Sequence, residues 1–249
     1  MSAPRSIAQP GPALEPRIVA VEARGRDFVI DLAPGASLLD NLRRGFAEAG
    51  FAGGVVKLEG VALSPFAYVI PALSPSPKHA AFYSETFRPP GVTRLTQGAL
   101  TFGVRNGATS FHAHGLWREA DGAVRGGHLL PEETIVAEPA RVAAFGLDGA
   151  GFIGVEDAET GFTLFEPRPS AISGADAPSR AFALRLKPNQ DFAGALEDFC
   201  AAQGVARARI MGGVGSTVGA RFEDAADVEN FATEVYVGAG RIAPGPDGR

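Results

Sequence analysis

Arg26-Asp-Phe-Val-Ile-Asp-Leu-Ala-Pro34 returns later in the chain as Arg180-Ala-Phe-Ala-Leu-Arg-Leu-Lys-Pro188, and this repeated stretch decides the predicted fold. Apolar residues alternate with other residues in both versions, a pattern typical of a half-buried strand. A proline ends each strand. A polar residue then stands where it could cap a following helix, Ser37 in the first stretch and Asp191 in the second.

An amphipathic helix is predicted after each cap. Apolar residues recur at helical spacing between residues 38 and 49, and again between 192 and 200. Each predicted helix ends at a glycine, Gly50 or Gly204, and an apolar, glycine-rich strand follows each one. The sequence therefore predicts two copies of one α+β unit.

The second copy stops early, which shapes the predicted domain organisation. We predict a flexible N-terminal tail over 1–15, a complete copy over 16–166, a linker rich in Pro and Ser over 167–179, and a partial copy over 180–249. The partial copy ends about where its counterpart of a histidine-containing strand should begin. Either the natural chain is longer, or the second copy is an incomplete unit that needs its partner.

Composition excludes several classes of protein. The 249 residues carry a formal net charge of −5, whereas domains that wrap nucleic acid through bulk charge are usually basic. The single cysteine, Cys200, excludes an intrachain disulfide and any CxxC metal or redox motif. No apolar run reaches the ~20 residues of a membrane span, and the N-terminus lacks the apolar core of a signal peptide. We expect a soluble, cytoplasmic protein without membrane partners.

Three of the four histidines fall in one segment, Ser110-Phe-His-Ala-His-Gly-Leu-Trp-Arg-Glu-Ala-Asp-Gly-Ala-Val-Arg-Gly-Gly-His-Leu-Leu130. Asp121-Gly122 is a turn signal between two strand-like runs, so the segment predicts a β-hairpin. His112 and His114 share a face because side chains at i and i+2 of a strand point the same way.

The register of this hairpin decides whether the third histidine joins them. A three-residue loop, Ala120 to Gly122, pairs Glu119 with Ala123 and places His114 opposite His128. A two-residue loop would shift the register by one residue and separate the rings. His79, in Ser-Pro-Lys-His, is interpreted as a loop residue.

Three neutral imidazoles with a free fourth position suit a zinc ion, and nickel, copper or iron would accept the same ligands. We predict His112, His114 and His128 as metal ligands. Gly126 and Gly127 leave room beside His128 for a ligand or for close strand packing, and we assign them to ligand binding. The alternative is a pair of histidines on a half-buried strand, hydrogen-bonded to neighbours or to solvent.

The pattern HAH, then Asp-Gly in a turn, then GGHLL, resembles the signature of the plant-and-prokaryote-conserved (PPC) domain. RDFVIDLAPGASLLDNL and RAFALRLKPNQDFAGALEDF both resemble the opening of that domain, so the resemblance covers about 26–166 fully and 180–249 in part. It implies an α+β fold with an antiparallel sheet and flanking helices, assembly as a homo-oligomer, often a trimer, and in some members a metal at the histidines. Prokaryotic members are commonly described as DNA-binding.

The architecture is also similar to that of acetolactate decarboxylase, a lyase whose zinc is held by three histidines. That resemblance implies a carboxylate that handles protons and an arginine that holds a substrate carboxylate. Glu85, Arg88 and Arg118 are the candidates for these catalytic roles, each with solvated surface charge as the alternative.

Arg24-Gly25-Arg26 resembles the RGR core of an AT-hook, but Asp27 follows where that motif has proline, and the flanks are not basic. DNA therefore has support from the resemblance and none from the charge. The leading hypothesis is a metal-binding, oligomeric DNA- or ligand-binding regulator, and whether it is also an enzyme stays open. The alternatives are a metal-dependent lyase or hydrolase acting on a small carboxylate, and an assembly module in which the histidines fill a polar interface.

Overall fold

The computed structural model describes residues 5–174, 176–222 and 225–244. In this part of the chain, seventeen strands and two α-helices follow one another with a single 3-10 turn, Pro131–Glu133. The first nine strands and the first helix are β1 (Ile18–Leu32), α1 (Leu38–Ala49), β2 (Gly53–Lys57), β3 (Val61–Leu63), β4 (Tyr68–Val69), β5 (Pro71–Ala72), β6 (Phe82–Tyr83), β7 (Thr93–Arg105), β8 (Ala108–Arg118) and β9 (Val124–Leu129). The remaining elements are β10 (Ala140–Asp148), β11 (Ala150–Glu156), β12 (Thr163–Pro169), β13 (Ser179–Leu186), α2 (Phe192–Ala202), β14 (Ala208–Ile210), β15 (Val214–Thr217), β16 (Thr233–Tyr236) and β17 (Gly240–Ile242).

The predicted α+β class, an antiparallel sheet with flanking helices, is wrong: the fold is largely β. Only α1 and α2 are α-helical among the described residues, and they are 12 and 11 residues long. The helix α2 buries only Leu196 and Cys200. The prediction gave too much weight to the two segments with a clear helical pattern. Most of the strands come from apolar runs between these segments, and such runs have no comparably strong sequence pattern.

Eleven strands form one sheet whose main path runs β13-β1-β10-β2-β7-β8-β9-β4, nearly all antiparallel. The long strand β1 pairs with β10 and also with β13, so the strand that opens the second stretch joins the sheet of the first. Three consecutive strands, β7, β8 and β9, form a meander through which the histidine segment runs.

The predicted helix caps are confirmed. The Ser37 side chain accepts a hydrogen bond from the Asp40 N–H, and Asp191 accepts one from Gly194. Gly50 ends α1 with a φ of 80°, a left-handed conformation that glycine adopts without strain. The buried face of α1 packs on the sheet, where the Phe46 ring stacks on Phe102 with their centroids 4.4 Å apart.

The two faces of β8 have different environments. Phe111, Ala113 and Trp117 belong to the main hydrophobic core beneath α1. The alternate residues, His112 and His114 among them, therefore point to the other face of the sheet. The antiparallel pair of β15 and β16 contacts β8.

Three predictions are only partly covered by the structure. The first four residues of the predicted tail, Ala175 of the predicted linker, and residues 223–224 and 245–249 of the predicted partial copy lie outside the described residues. The strand β12 ends at Pro169, within the segment predicted as linker. In the described part of the chain, neither α-helix is long and apolar enough to cross a membrane.

Candidate metal centre

The hairpin β8–β9 has the predicted turn. The Glu119 N–H donates to the Ala123 carbonyl, and the Gly122 N–H donates back to the Glu119 carbonyl, both at 2.9 Å. Gly122 has a φ of 88°, the left-handed conformation expected at this position of a three-residue loop. His114 consequently pairs with His128, as the sequence predicts.

The three imidazoles meet on one patch of the sheet. Nε2 of His112 lies 3.1 Å from Nε2 of His114, and the same His114 nitrogen lies 3.3 Å from Nδ1 of His128. The ring nitrogens that could bind an ion all lie within 4.8 Å of one another. His114 is buried, and the other two rings are partly buried.

All three imidazoles are neutral near pH 7 because their surroundings disfavour the charged form. Burial lowers the pKa of His114 to about 4, although its hydrogen bond to the Val235 carbonyl acts in the other direction. Burial, then the nearby His114 and Arg105, lowers the pKa of His128 to about 3. The pKa of His112 lies well below its usual value, chiefly through burial. Neutral imidazoles are the form that binds metals.

One hydrogen bond of His114 indicates which ring nitrogen carries the hydrogen and which has a free lone pair. Its Nδ1 lies 3.0 Å from the Val235 carbonyl oxygen, so Nδ1 is assigned the hydrogen and Nε2 a lone pair. That lone pair faces His112 and His128. Nitrogen ligands at about 2.0–2.1 Å from a tetrahedral zinc ion stand about 3.3 Å apart, close to the separations of 3.1 and 3.3 Å that His114 makes with the other two rings. The donor set therefore fits a divalent transition-metal ion.

Three further residues of the site have no sequence signal and were not predicted. Glu234 of β16 places Oε1 3.5 Å from Nε2 of His114, and burial raises the pKa of its carboxyl to about 7. The Tyr83 ring stands edge-on to His128 with centroids 5.4 Å apart. Arg105 donates to the Thr163 carbonyl and contributes positive charge near the rings. Each comes from a separate part of the chain, so only the fold brings them to the histidines.

Gly126 and Gly127 line a cavity of about 270 Å³ that reaches His114 and Glu234. Close strand packing also needs Gly127, because a Cβ there would lie 2.7 Å from the carbonyl oxygen of Val69 on the neighbouring β4. Gly127 therefore lies both beside a cavity that could hold a ligand and at a point of close strand packing. Ligand binding by the two glycines stays a prediction.

The predicted catalytic candidates lie elsewhere. Arg88 forms a two-pronged ion pair with Glu133, with distances of 2.6 and 2.8 Å. Arg118 is exposed and donates to the Gly122 carbonyl at the hairpin turn. Glu85 is exposed. Among the described residues no hydrogen bond joins any of the three to the histidines, and their catalytic roles stay predictions.

No protein-family model matches the chain, and no curated protein matches it. Similar solved structures include a plant- and prokaryote-conserved (PPC) protein from Pyrococcus horikoshii, at 20% identity and TM-score 0.45 over 59% of this chain and 94% of that one. Another is a metal-containing protein from Archaeoglobus fulgidus, at 21% identity and TM-score 0.45 over 57% of this chain and 94% of that one. A third, from Ralstonia eutropha, is described as a "putative DNA-binding protein" and has 16% identity and TM-score 0.41 over 57% and 90% of the two chains.

The similar solved structures include a protein of the family that the sequence resembles. At these identities the likeness concerns the fold alone. Similarity to acetolactate decarboxylase is not shown by these comparisons.

Proposed function

We propose that this chain is a metal-binding protein of the PPC type that holds one divalent transition-metal ion, zinc as first choice, through His112, His114 and His128. The observation that supports it is the convergence of three neutral imidazole nitrogens on one patch. When bound, such an ion supplies positive charge and Lewis acidity. The proposal includes assembly as a homo-oligomer, a trimer on the PPC resemblance, and a regulatory role exerted by binding.

Metal analysis of untagged protein tests the proposal. We expect about one zinc or similar ion per chain after purification, and recovery of that stoichiometry when stripped protein is reloaded with zinc. Elemental analysis by mass spectrometry measures both. Absence of metal after purification, together with failure to take up zinc, nickel, copper or iron on reloading, contradicts the proposal.

A metal-dependent lyase or hydrolase is the second candidate, favoured by the cavity that reaches His114 and Glu234. The described residues that line this cavity include no lysine or arginine, so none of them supplies a cation to hold a substrate carboxylate. For this reason we favour a binding function over a catalytic one. If zinc-loaded protein turns over small hydroxy or keto acids, and His114→Ala loses this activity, catalysis becomes the better-supported function.

Binding to duplex DNA is expected to be weak. Among the described residues, eight exposed arginines already form ion pairs with carboxylates, which reduces the number of cations free for phosphates: Arg43–Asp40, Arg88–Glu133, Arg94–Glu138, Arg141–Asp31, Arg168–Glu166, Arg180–Glu22, Arg209–Asp27 and Arg221–Asp227. The Arg24-Gly25-Arg26 motif lies inside β1, where Arg24 donates to the carbonyls of Ala177 and Pro178.

In fluorescence anisotropy at roughly 150 mM salt we expect a Kd no tighter than about 10⁻⁵ M, within the range of non-specific binding. The measurement should use the metal-loaded full chain and two duplexes of different sequence. A Kd below about 10⁻⁷ M for one of them, with a steep dependence on salt, would establish DNA binding.

A further inference from the structure

We infer that the carboxylate of Glu234 is a fourth ligand of this metal centre, so that the hairpin β15–β16 closes a site whose other ligands come from β8 and β9. The inference rests on the proposed function, since it requires an ion at the three histidines. It assigns to the predicted partial copy a role that the sequence did not indicate, because that copy has no histidine strand of its own.

The backbone of β16 is held at the site independently of the Glu234 side chain. Glu234 pairs with Ser216 of β15, and the next residue, Val235, accepts the Nδ1 hydrogen of His114 at 3.0 Å. The Tyr236 hydroxyl lies 2.7 Å from Oε1 of Gln97 on β7. The two residues that follow Glu234 therefore hold this end of β16 against β8 and β7, and with them the backbone of Glu234.

The carboxylate is buried without a protein partner. The Glu234 side chain is only 10% exposed, and its Oε2 is a buried atom that makes no hydrogen bond among the described residues. Burying an unpaired carboxylate is costly, so buried carboxylates are normally paired with a cation or coordinate a metal. No arginine or lysine among the described residues forms an ion pair with Glu234; it pairs with His114 at 3.5 Å, and its charge also raises the pKa of the Tyr83 hydroxyl.

The contact with His114 is not a hydrogen bond. Nε2 of His114 bears a lone pair because Nδ1 carries the hydrogen, and Oε1 of Glu234 stands 3.5 Å from it. Two electron-pair donors face each other at a separation close to that between two ligands of one zinc ion, about 3.3 Å. A cation that receives both electron pairs, together with those of His112 and His128, would stabilise the arrangement.

Four protein ligands complete a tetrahedral shell, which is typical of structural zinc sites and unlike the open catalytic kind. The ion would then fasten the β15–β16 hairpin onto the sheet. This role agrees with binding and assembly better than with catalysis. A protonated Glu234 that touches no metal is the competing explanation.

Substitution of Glu234 by cysteine separates the two explanations. In the cobalt(II)-loaded full chain, Glu234→Cys should give a thiolate-to-cobalt charge-transfer absorption in the near ultraviolet that wild type lacks. The one natural cysteine, Cys200, is buried on α2 and present in both proteins. Because a cysteine side chain is shorter than that of glutamate, the inference is overturned when this band is missing in a variant that still binds cobalt and Glu234→Gln also keeps full zinc affinity.

The isosteric variant Glu234→Gln supplies an independent measurement. We expect zinc affinity, measured by competition with a chelator, to fall at least 10-fold, in line with changes around metal ligands. Glu229→Gln is the matched control, because Glu229 lies in the same segment with an exposed side chain paired to Arg5, and it should leave affinity unchanged.

The outcomes also separate this inference from the proposed function. If the wild-type chain binds no metal, the proposed function fails. If wild type binds zinc through the histidines while Glu234→Gln keeps full affinity, only the assignment of Glu234 fails.

Discussion

Replacement of His114 by alanine is expected to weaken zinc binding by about 100-fold or more, because it removes the central nitrogen of the three. His114 Nε2 lies within 3.3 Å of the nitrogens of both other rings, so its loss leaves only two imidazoles, those of His112 and His128, with ring centroids 4.8 Å apart. His112→Ala and His128→Ala should have effects of similar size. Competition with a chelator of known affinity at pH 7.5 measures each variant.

His79→Ala is the control for these variants. His79 packs against Phe82 and Phe162 in a loop, and its Nδ1 lies 3.3 Å from the Thr160 carbonyl oxygen. Its removal should leave zinc affinity unchanged. Equal loss of affinity in His79→Ala and His114→Ala would mean that the histidine hairpin is not the binding site.

Replacement of Arg185 by methionine is expected to lower the free energy of unfolding by about 3–5 kcal/mol, the usual cost of breaking a buried ion pair. Arg185 is buried on β13, where it pairs with Asp157 through one nitrogen and with Glu166 through the other at 3.0 Å. Methionine retains the unbranched apolar part of the side chain but leaves the buried Asp157 carboxylate without a cation and Glu166 with Arg168 alone. Urea denaturation at pH 7 measures the difference.

Arg180→Met is the matched control, since Arg180 lies on the same strand and pairs with Glu22 on the exposed surface. An exposed pair contributes about 0–1 kcal/mol, so this variant should stay close to wild type. Equal effects in the two variants would contradict the importance of burial at Arg185.

The difference between wild type and Arg185→Met should shrink in acid. Burial raises the pKa of Asp157, but the Thr160 N–H and the Arg185 guanidinium outweigh burial and hold the pKa below its usual value. A carboxyl with a lowered folded-state pKa stabilises the fold above its unfolded value, roughly 3.9, and loses that contribution as the pH falls through the folded value. Denaturation at pH 7 and below pH 4 tests this.

Sequence patterns were reliable where the structure depends on neighbours in the chain. The caps at Ser37 and Asp191 are local hydrogen bonds, and the turn at Gly122 follows from the loop length and the glycine. The pairing of His114 with His128 then follows from the turn, because strand register is fixed by counting outward from it.

Sequence patterns did not predict burial correctly where segments distant in the chain surround a side chain. On β13 the alternation of apolar residues predicts Phe182, Leu184 and Leu186 as the buried face, yet Arg185 is buried more deeply than these three. The reason is that carboxylates on β12 and on the segment after β11 surround its side chain. Such a partner cannot be found from the sequence around Arg185.

The division into a complete and a partial copy stays a prediction.

The sequence by itself determined the three-histidine cluster, since all three histidines lie on one hairpin whose register depends on a local turn. Only the tertiary structure decided what surrounds that cluster. Glu234, Tyr83 and Arg105 lie far apart in the chain, and the sheet and the β15–β16 hairpin bring them to the rings. A strand pairing between neighbours in sequence follows from chain geometry, whereas the docking of a remote hairpin depends on packing that no local pattern records.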